Sequence, residues 1–199
     1  MLNSLLLPSA YFGPISYYAF MIKTRTPIIE KNNSYIKQTI RNRCYIYGSN
    51  GKLRLTVPKK RNTIEKQPMN EIKICYAEKW QKKHWKAILS SYNSSPYFKY
   101  YENDLHHIFQ QKEKYLIELN AKINSIILKI LDHNIKTIKT NYNYKQKSNI
   151  DLRNHNWDQD IIKQYDQVFM EKHGFITNLS ILDLIFNLGP ESKTFLQKI

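Results

Sequence analysis

A turn sequence, Gly48-Ser49-Asn50-Gly51, lies between two segments in which apolar and polar residues alternate. Residues 43–47 precede the turn and residues 53–57 follow it. Two alternating segments joined by a short connection with glycine predict an antiparallel hairpin. Residues 71–76 return to the same alternation, so we expect at least three strands to share an antiparallel sheet.

The start of the chain combines strand and helix signals. The apolar residues that begin at Leu5 predict a short buried strand, Gly13-Pro14 predicts a turn, and residues 15–22 repeat apolar side chains at helical spacing. Proline suits the first helical turn because its missing N–H would have no partner there. The remaining free N–H groups of that turn are expected to offer donors to an anion. A second short strand is expected from Pro27 to Glu30.

The rest of the chain is predicted to be mostly helical. Residues 78–92 carry one apolar stripe, and residues 104–131 carry a nearly unbroken apolar stripe that is typical of one long core helix. Near the C-terminus, the pattern predicts a helix over residues 161–169 with a stop near Gly174. A last, strongly apolar helix is expected over residues 179–189.

These elements predict an α+β fold. We expect a small, mostly antiparallel sheet from the N-terminal half, packed by two or more long helices, with a short helical C-terminal extension. A length of 199 residues with 42% hydrophobic content favours a single domain over residues 1–199. Its parts are a strand-rich region (1–76), a helical region (78–131), a polar connection (136–160) and C-terminal helices (161–199).

Four residues at alternate positions, Lys37, Thr39, Arg41 and Arg43, are called the basic strip. In an extended segment they share one face, while the apolar residues between them face the core. Arginine is scarce in this chain, and its planar fork suits carboxylate or phosphate better than the lysine ammonium does. The strip therefore predicts an anion site, with an ordinary solvated strand face as the alternative.

The net charge of +15 favours contact with nucleic acid or an anionic membrane. However, the basic residues are spread along the chain, without an arginine-rich tract or an aromatic-studded recognition motif. We therefore expect no dedicated nucleic-acid binding.

The two cysteines, Cys44 and Cys75, are expected to be buried and reduced, as in a cytoplasmic protein; a disulfide or a metal pair is the alternative. No apolar run is long enough to cross a membrane. The first ten residues lack the positive start of a secretory signal, and Pro8 interrupts their apolar part. The protein is expected to work in the cytoplasm.

Three further residues draw attention by their chemistry. His84 lies between two tryptophans on a predicted helix, where a structural hydrogen bond competes with a role as a base. Asp183 lies within an apolar helix, so it faces out, pairs with a basic residue or serves in a site. His106 and His107 are adjacent and point about 100° apart on a helix, so no metal site is predicted.

Four long motifs resemble those of the WbqC-like protein family, in its Bacteroidetes branch. They span nearly the whole chain in order and cover Pro8–Ala19, Lys37–Pro58, Lys79–Phe98 and Tyr165–Ser192. The residues that match the family pattern are Tyr11, Phe12, Pro14, Lys37, Arg41, Asn42, Arg43, Pro58, Trp80, His84, Pro96, Tyr97, Phe98 and Asp183. The chain departs from the pattern before Tyr35, where only Glu30 retains an acid in a stretch that is usually rich in acid and histidine.

The resemblance implies a cytoplasmic role in surface-polysaccharide or O-antigen metabolism, with a transfer reaction on a nucleotide sugar or a related activated donor. In this interpretation, Lys37, Arg41, Asn42 and Arg43 bind the phosphates of a small anionic substrate. His84, Asp183 or Glu30 serves as the general base, and Tyr11 and Phe12 form a wall for the base or sugar unless they are core aromatics. We expect no cofactor and no metal, and the oligomeric state stays open. The alternative function is a noncatalytic basic module that binds RNA or protein.

Overall fold

The computed structural model describes residues 5–61, 67–133, 138–139 and 150–199. Four strands, β1 (Leu5–Pro8), β2 (Pro27–Glu30), β5 (Ile138–Lys139) and β6 (Ile150–Asp151), form the larger sheet. Their order is β5-β2-β1-β6, and all the pairs are parallel. The prediction of a mostly antiparallel sheet is therefore wrong, although the fold does mix helices and strands.

The parallel arrangement follows from how β1 and β2 are connected. Helix α1 (Ile15–Ile22) lies between them, which confirms the predicted strand, turn and helix at the start of the chain. A helix that crosses over the sheet returns the chain to the end where the previous strand began, so that the second strand runs in the same direction. Residues Leu5 and Leu7 are fully buried because β1 has a neighbour on both edges.

The predicted hairpin is confirmed as a separate antiparallel pair of β3 (Arg43–Gly48) and β4 (Gly51–Thr56). Gly48 pairs with Gly51 across a two-residue turn, and Gly51 adopts a φ of 98° that favours glycine. The third strand expected over residues 71–76 is absent from the described structure. That segment instead makes single bridges, from Ile74 to Lys59 and from Lys73 to Tyr115.

Three helices follow: α2 (Trp80–Tyr92), α3 (Phe98–Gln110) and α4 (Leu116–Ile130). The single long helix predicted over residues 104–131 is thus two helices, because Gln111 leaves helical geometry with a ψ of 156°. A new helix begins after Tyr115, whose N–H donates to the Glu118 carboxylate at 3.1 Å. The apolar stripe continues across this break because both helices pack on the same core.

The C-terminal helices are α5 (Met170–His173), α6 (Ile181–Leu188) and α7 (Ser192–Lys198). The prediction for α6 is confirmed, whereas residues 161–167 are not helical. Ile162 and Tyr165 are buried there while Ile161 is 88% exposed, so the apolar pattern comes from an irregular segment packed along the core. The helix stop at Gly174 is confirmed, with a φ of 73° at that glycine.

One cluster of buried apolar side chains runs from Leu5 in β1 to Leu196 in α7. Aromatic rings form much of it, including Tyr11, Phe12 and Phe186, all of which are fully buried. Among the described residues, no helix is both long and apolar enough to span a membrane.

Candidate functional site

The residues that follow β1 and those that follow β6 meet at the carboxyl ends of these two neighbouring strands. In the sheet, β2 lies on one side of β1 and β6 lies on the other, so the strand order changes direction at β1. In open parallel sheets, ligands characteristically bind at such a position. Two cavities of about 130 and 270 Å³ adjoin there and share Thr39, Ile40, His155 and Trp157. We call them together the basic groove, which is lined by residues 36, 38–41, 43–45 and 153–158 with Phe12, Pro14, Asn178 and Ser180.

The basic strip is not a strand. Residues 36–42 form turns, and β3 begins only at Arg43. The predicted common face is therefore wrong: Lys37 is exposed, Arg41 is only 3% exposed, and Ile36, which was expected in the core, is 39% exposed. The turns nevertheless bring both arginines to the basic groove, because Arg41 lines one cavity and Arg43 the other. Lys37 and Asn42 line neither of the two cavities.

Arg41 is held by neutral groups. Its Nη2 donates to the Arg153 carbonyl at 3.0 Å, and its Nη1 donates to Thr39 Oγ1 at 3.2 Å. Burial lowers the pKa of Arg41, and the nearby Arg153 also lowers it. The Arg41 carbonyl accepts a hydrogen bond from Asn120 Nδ2 at 2.8 Å, which fixes the backbone at this turn.

Arg43 and Arg153 differ in what they can offer a ligand. Arg153 is engaged by Asp151, with Nη2 2.7 Å from Oδ2, and it also lies 3.8 Å from a Glu30 oxygen. These carboxylates raise the pKa of Arg153. Arg43 is half-buried, and its Nε has no hydrogen-bond partner among the described residues. A shielded guanidinium N–H without an acceptor costs free energy, so Arg43 is the arginine in the groove best suited to an incoming anion.

His155 contributes a base to the same groove. Its Nε2 lies 2.8 Å from Asp160 Oδ1, and Asp160 Oδ2 accepts a hydrogen bond from Ser16 Oγ at 2.6 Å. Since a carboxylate only accepts, Nε2 carries the proton, and Nδ1 of the neutral ring keeps its lone pair. His155 and Asp160 lie within the segment that the sequence interprets as a polar connection. Trp157, between them, was the available signal that this segment returns to the core.

Three residues with unusual backbone geometry line the basic groove. Phe12, Gln38 and Asn178 have φ values of 42°, 64° and 50°. A left-handed conformation is costly for a residue with a side chain, and such residues concentrate at ligand sites. Asn178 is held in place by bonds from its Nδ2 to Ser16 Oγ and to the Trp157 carbonyl. The groove is therefore a rigidly defined part of the fold.

The N-terminus of α1 does not supply the donors that the sequence predicts. Ile15 N–H donates to the Leu179 carbonyl at 3.0 Å, and Ser16 N–H donates to Asn178 Oδ1 at 2.9 Å. Tyr17 N–H is also taken, by the Pro14 carbonyl. Because these amides already have partners within the chain, the expectation of an anion at this helix end is wrong.

His84 and Tyr11 form a pair inside the core, outside the basic groove. Tyr11 is fully buried, and its hydroxyl lies 2.9 Å from His84 Nδ1. Burial lowers the pKa of His84 to about 4, while a hydrogen bond to the backbone of Thr56 opposes the shift. His84 is consequently neutral at physiological pH, and its closest ring neighbours are Trp80 and Tyr11.

Asp183 is also in the core, fully buried, and its partners are neutral donors. Tyr92 donates to Oδ1 at 2.9 Å, Gln167 Nε2 donates to Oδ2 at 2.8 Å, and the Tyr165 hydroxyl also donates to Oδ2. Among the described residues Asp183 has no salt bridge, so the predicted alternative of a basic partner is not present there. Burial raises the pKa of Asp183 from 3.8 to about 6, although the three hydrogen bonds lower it.

This raised pKa predicts a pH-dependent loss of stability. The folded state binds the Asp183 proton more tightly than the unfolded state, so its contribution is complete below about pH 4 and is lost as the pH rises to about 6. Across that interval the native protein should lose about 3 kcal/mol relative to Asp183→Asn, which cannot titrate. Urea unfolding of both proteins from pH 4 to pH 7 measures this difference. A difference that is constant with pH would contradict the prediction.

The other predicted site residues take separate positions. Glu30 ends β2 at the same sheet edge, where its Oε1 accepts a hydrogen bond from Asn32 N–H at 2.8 Å. Cys44 and Cys75 are both free, and only Cys44 is fully buried, which raises its pKa. Within the described ranges, no three His, Cys, Asp or Glu side chains are grouped so that they could hold a metal ion.

Comparison with known proteins supplies a family. The model of the WbqC-like protein family matches residues 9–150 and 136–195, which together cover nearly the whole sequence. The chain belongs to the WbqC-like family. No curated protein and no solved structure gives a match. The family match confirms the resemblance seen in the motifs, whereas the assignment to a Bacteroidetes branch stays a prediction.

Within this WbqC-like protein, the structure divides the motif residues into two groups. Phe12, Pro14, Arg41 and Arg43 line the basic groove. Tyr11, His84 and Asp183 instead make hydrogen bonds in the core. Motif membership alone therefore does not identify which residues a ligand can reach.

Proposed function

We propose that this WbqC-like protein is a cytoplasmic transferase-type enzyme that binds a phosphate-bearing activated donor, such as a nucleotide sugar, in the basic groove. The observation that carries the proposal is the presence in one groove, at the carboxyl ends of β1 and β6, of Arg43, whose Nε has no partner among the described residues, and of His155, whose Nε2 lies against Asp160. A role in surface-polysaccharide or O-antigen metabolism follows from what the family resemblance implies.

In the proposed reaction, Arg43 binds the donor phosphate through charge-assisted hydrogen bonds. His155 Nδ1 accepts the proton of an acceptor hydroxyl or amine, and Asp160 stabilises the resulting imidazolium. The acceptor oxygen or nitrogen forms a bond to the transferred group as the bond from that group to the donor phosphate oxygen breaks. The negative charge that develops on the leaving phosphate is stabilised by Arg43.

His155 takes the role of base in this proposal in place of His84 and Asp183. His84 is buried against Tyr11 and Asp183 against Tyr92, and neither of them lines a cavity of the groove. Glu30 lies at the same edge of the sheet and orients Arg153. Phe12 lines the groove but is fully buried, as Tyr11 is, so both are core aromatics and a wall for the base or sugar stays a prediction.

A thermal-shift screen tests donor binding. Nucleoside diphosphate sugars and activated aminoacyl donors are added to the native protein and to Arg43→Gln, and we expect the native protein alone to show a saturable rise in Tm. Removal of one charge-assisted contact should weaken binding about tenfold or more. The matched control is Arg25→Gln, because Arg25 is exposed and precedes β2 at the opposite end of the sheet. It should bind as the native protein does.

The same screen tests the noncatalytic alternative. An RNA oligonucleotide whose binding falls steeply with salt, together with no response to any small donor, would overturn the transferase proposal. An equal donor shift in the native protein and Arg43→Gln would overturn the assignment of the groove.

A further inference from the structure

A second cavity lies beside α4 and shares no lining residue with the basic groove. Its volume is about 480 Å³, and it opens between the ends of β1 and β2 and one face of α4. We call it the asparagine cavity and define it by Ser9, Ala10, Asn120, Ala121, Asn124 and Leu128. This cavity is separate from the groove of the proposed transfer reaction.

Asn120 is fixed in orientation by its own donors. Its Nδ2 donates to Ser9 Oγ at 2.9 Å and to the Arg41 carbonyl at 2.8 Å, so that both N–H bonds are used. The amide cannot be turned over without the loss of these two bonds, and Oδ1 is therefore identified as the acceptor. Asn120 is 2% exposed, and its Oδ1 has no partner among the described residues.

Asn124 repeats the pattern one helical turn later. It is 6% exposed, and its Oδ1 also lacks a partner in the described part of the chain. Asparagine is a weak helix former, and a buried amide oxygen without a hydrogen bond costs free energy. His133 Nε2, in the same wall, is a third shielded polar atom without a partner. Three such atoms around one cavity indicate that a hydrogen-bonding ligand belongs there.

The lining restricts the chemistry of that ligand. Two amide oxygens require O–H or N–H donors, and Ser9 and Ser125 add hydroxyl groups. No Asp or Glu of the described chain lines the cavity, whereas Lys31 and Lys129 do, which argues against a cation. Tyr17 is the single aromatic residue in this lining other than His133, and it is 1% exposed, so it offers no ring face on which a nucleobase could stack.

Apart from Lys31 and Lys129, the remaining walls are aliphatic. Ala10, Ile29, Ile117 and Leu128 provide apolar contact for the C–H groups of a ring whose hydroxyls bond to the amides. We propose that the asparagine cavity binds a small, polyhydroxylated ligand of about the size of one sugar ring.

The test is a titration followed by two-dimensional NMR of the side-chain amides. D-glucose, D-galactose, D-ribose and N-acetyl-D-glucosamine are added in turn to the native protein, with adenosine and inorganic phosphate as comparison ligands. At least one polyol should shift the Asn120 and Asn124 amide signals saturably. Arg43→Gln, which alters only the basic groove, should titrate like the native protein, so that this test and the donor test fail independently.

Two variants test the position of the ligand. Asn124→Leu removes the amide at nearly constant volume and should weaken polyol binding about tenfold or more while Tm stays the same or rises. Ala121→Leu should block the cavity without removing any hydrogen bond. The matched control is Asn103→Leu, at an exposed position of α3, and it should leave the titration unchanged.

The outcomes divide clearly. Saturable polyol shifts that both cavity variants reduce support the proposal. If no polyol shifts the amide signals, the proposal is overturned. If Asn124→Leu also has a higher Tm than the native protein, the cavity holds water and no ligand. Shifts with adenosine or phosphate but not with polyols would also overturn it, because the ligand class would be wrong.

Discussion

Replacing Asp183 with alanine is expected to lower the free energy of unfolding at neutral pH by about 3 kcal/mol. The carboxylate is the acceptor for the hydroxyl groups of Tyr92 and Tyr165, both of which are buried. Without it, each hydroxyl loses a hydrogen bond that no water replaces. The Gln167 amide keeps a hydrogen bond, because its Nε2 also donates to the Ile176 carbonyl at 3.0 Å.

Two opposing contributions decide how much Asp183→Ala lowers the free energy of unfolding. Burial of the Asp183 charge is unfavourable, as its raised pKa indicates, so alanine removes a cost along with the hydrogen bonds. We expect the loss of the acceptor to dominate, since it leaves two donors and a small void. Urea unfolding measures the result, with Asp166→Ala at an exposed position as the control. A loss of less than about 1 kcal/mol would show that the network contributes little.

Replacing His155 with glutamine is expected to lower the turnover of the donor by about 100-fold or more. His155 Nδ1 is the proposed proton acceptor, and glutamine has no group that can take a proton at neutral pH. Binding should change little, because the donor phosphate is held by Arg43. The donor is the nucleoside diphosphate sugar that gives the largest thermal shift, and release of nucleoside diphosphate is followed over time.

Two further variants accompany His155→Gln in this experiment. His107→Gln changes an exposed histidine on α3 and should retain full turnover. Asp160→Asn keeps the size of the positioning residue but removes its charge, which destabilises the imidazolium, so we expect the rise of turnover with pH to move to lower pH. Unchanged turnover in His155→Gln would remove this residue from the mechanism and return attention to Glu30 at the same sheet edge.

Local patterns predicted the local elements of this fold well. The hairpin follows from its glycine-containing turn, and α1 and α6 follow from helical spacing. The parallel sheet could not be predicted, because β5 and β6 contribute only two paired residues each, which is too short for any periodicity. The break at Gln111 also leaves no trace in the apolar pattern. Because α3 and α4 bury their apolar faces in the same core, the apolar stripe continues from one helix into the next.

The candidate site was predicted in part. The scarcity of arginine drew attention to Arg41 and Arg43, and both line the basic groove, Arg41 from a turn and Arg43 from the first residue of β3. Their role in binding stays a prediction. His155 was missed because it reaches the groove through β6, whose pairing with β1 is a long-range contact. A residue brought to a site by tertiary structure leaves no spacing signal in the sequence.

The hydrogen bonds at the start of α1 have a consequence for the order of folding. The Ser16 N–H bond to Asn178 joins residues that are 162 positions apart, and the Ser180 hydroxyl bond to the Phe12 carbonyl spans 168 positions. During synthesis, α1 is made more than 150 residues before these partners. Closing such long loops makes native folding slow, so the nascent N-terminal segment must wait for the C-terminal one before its core can form.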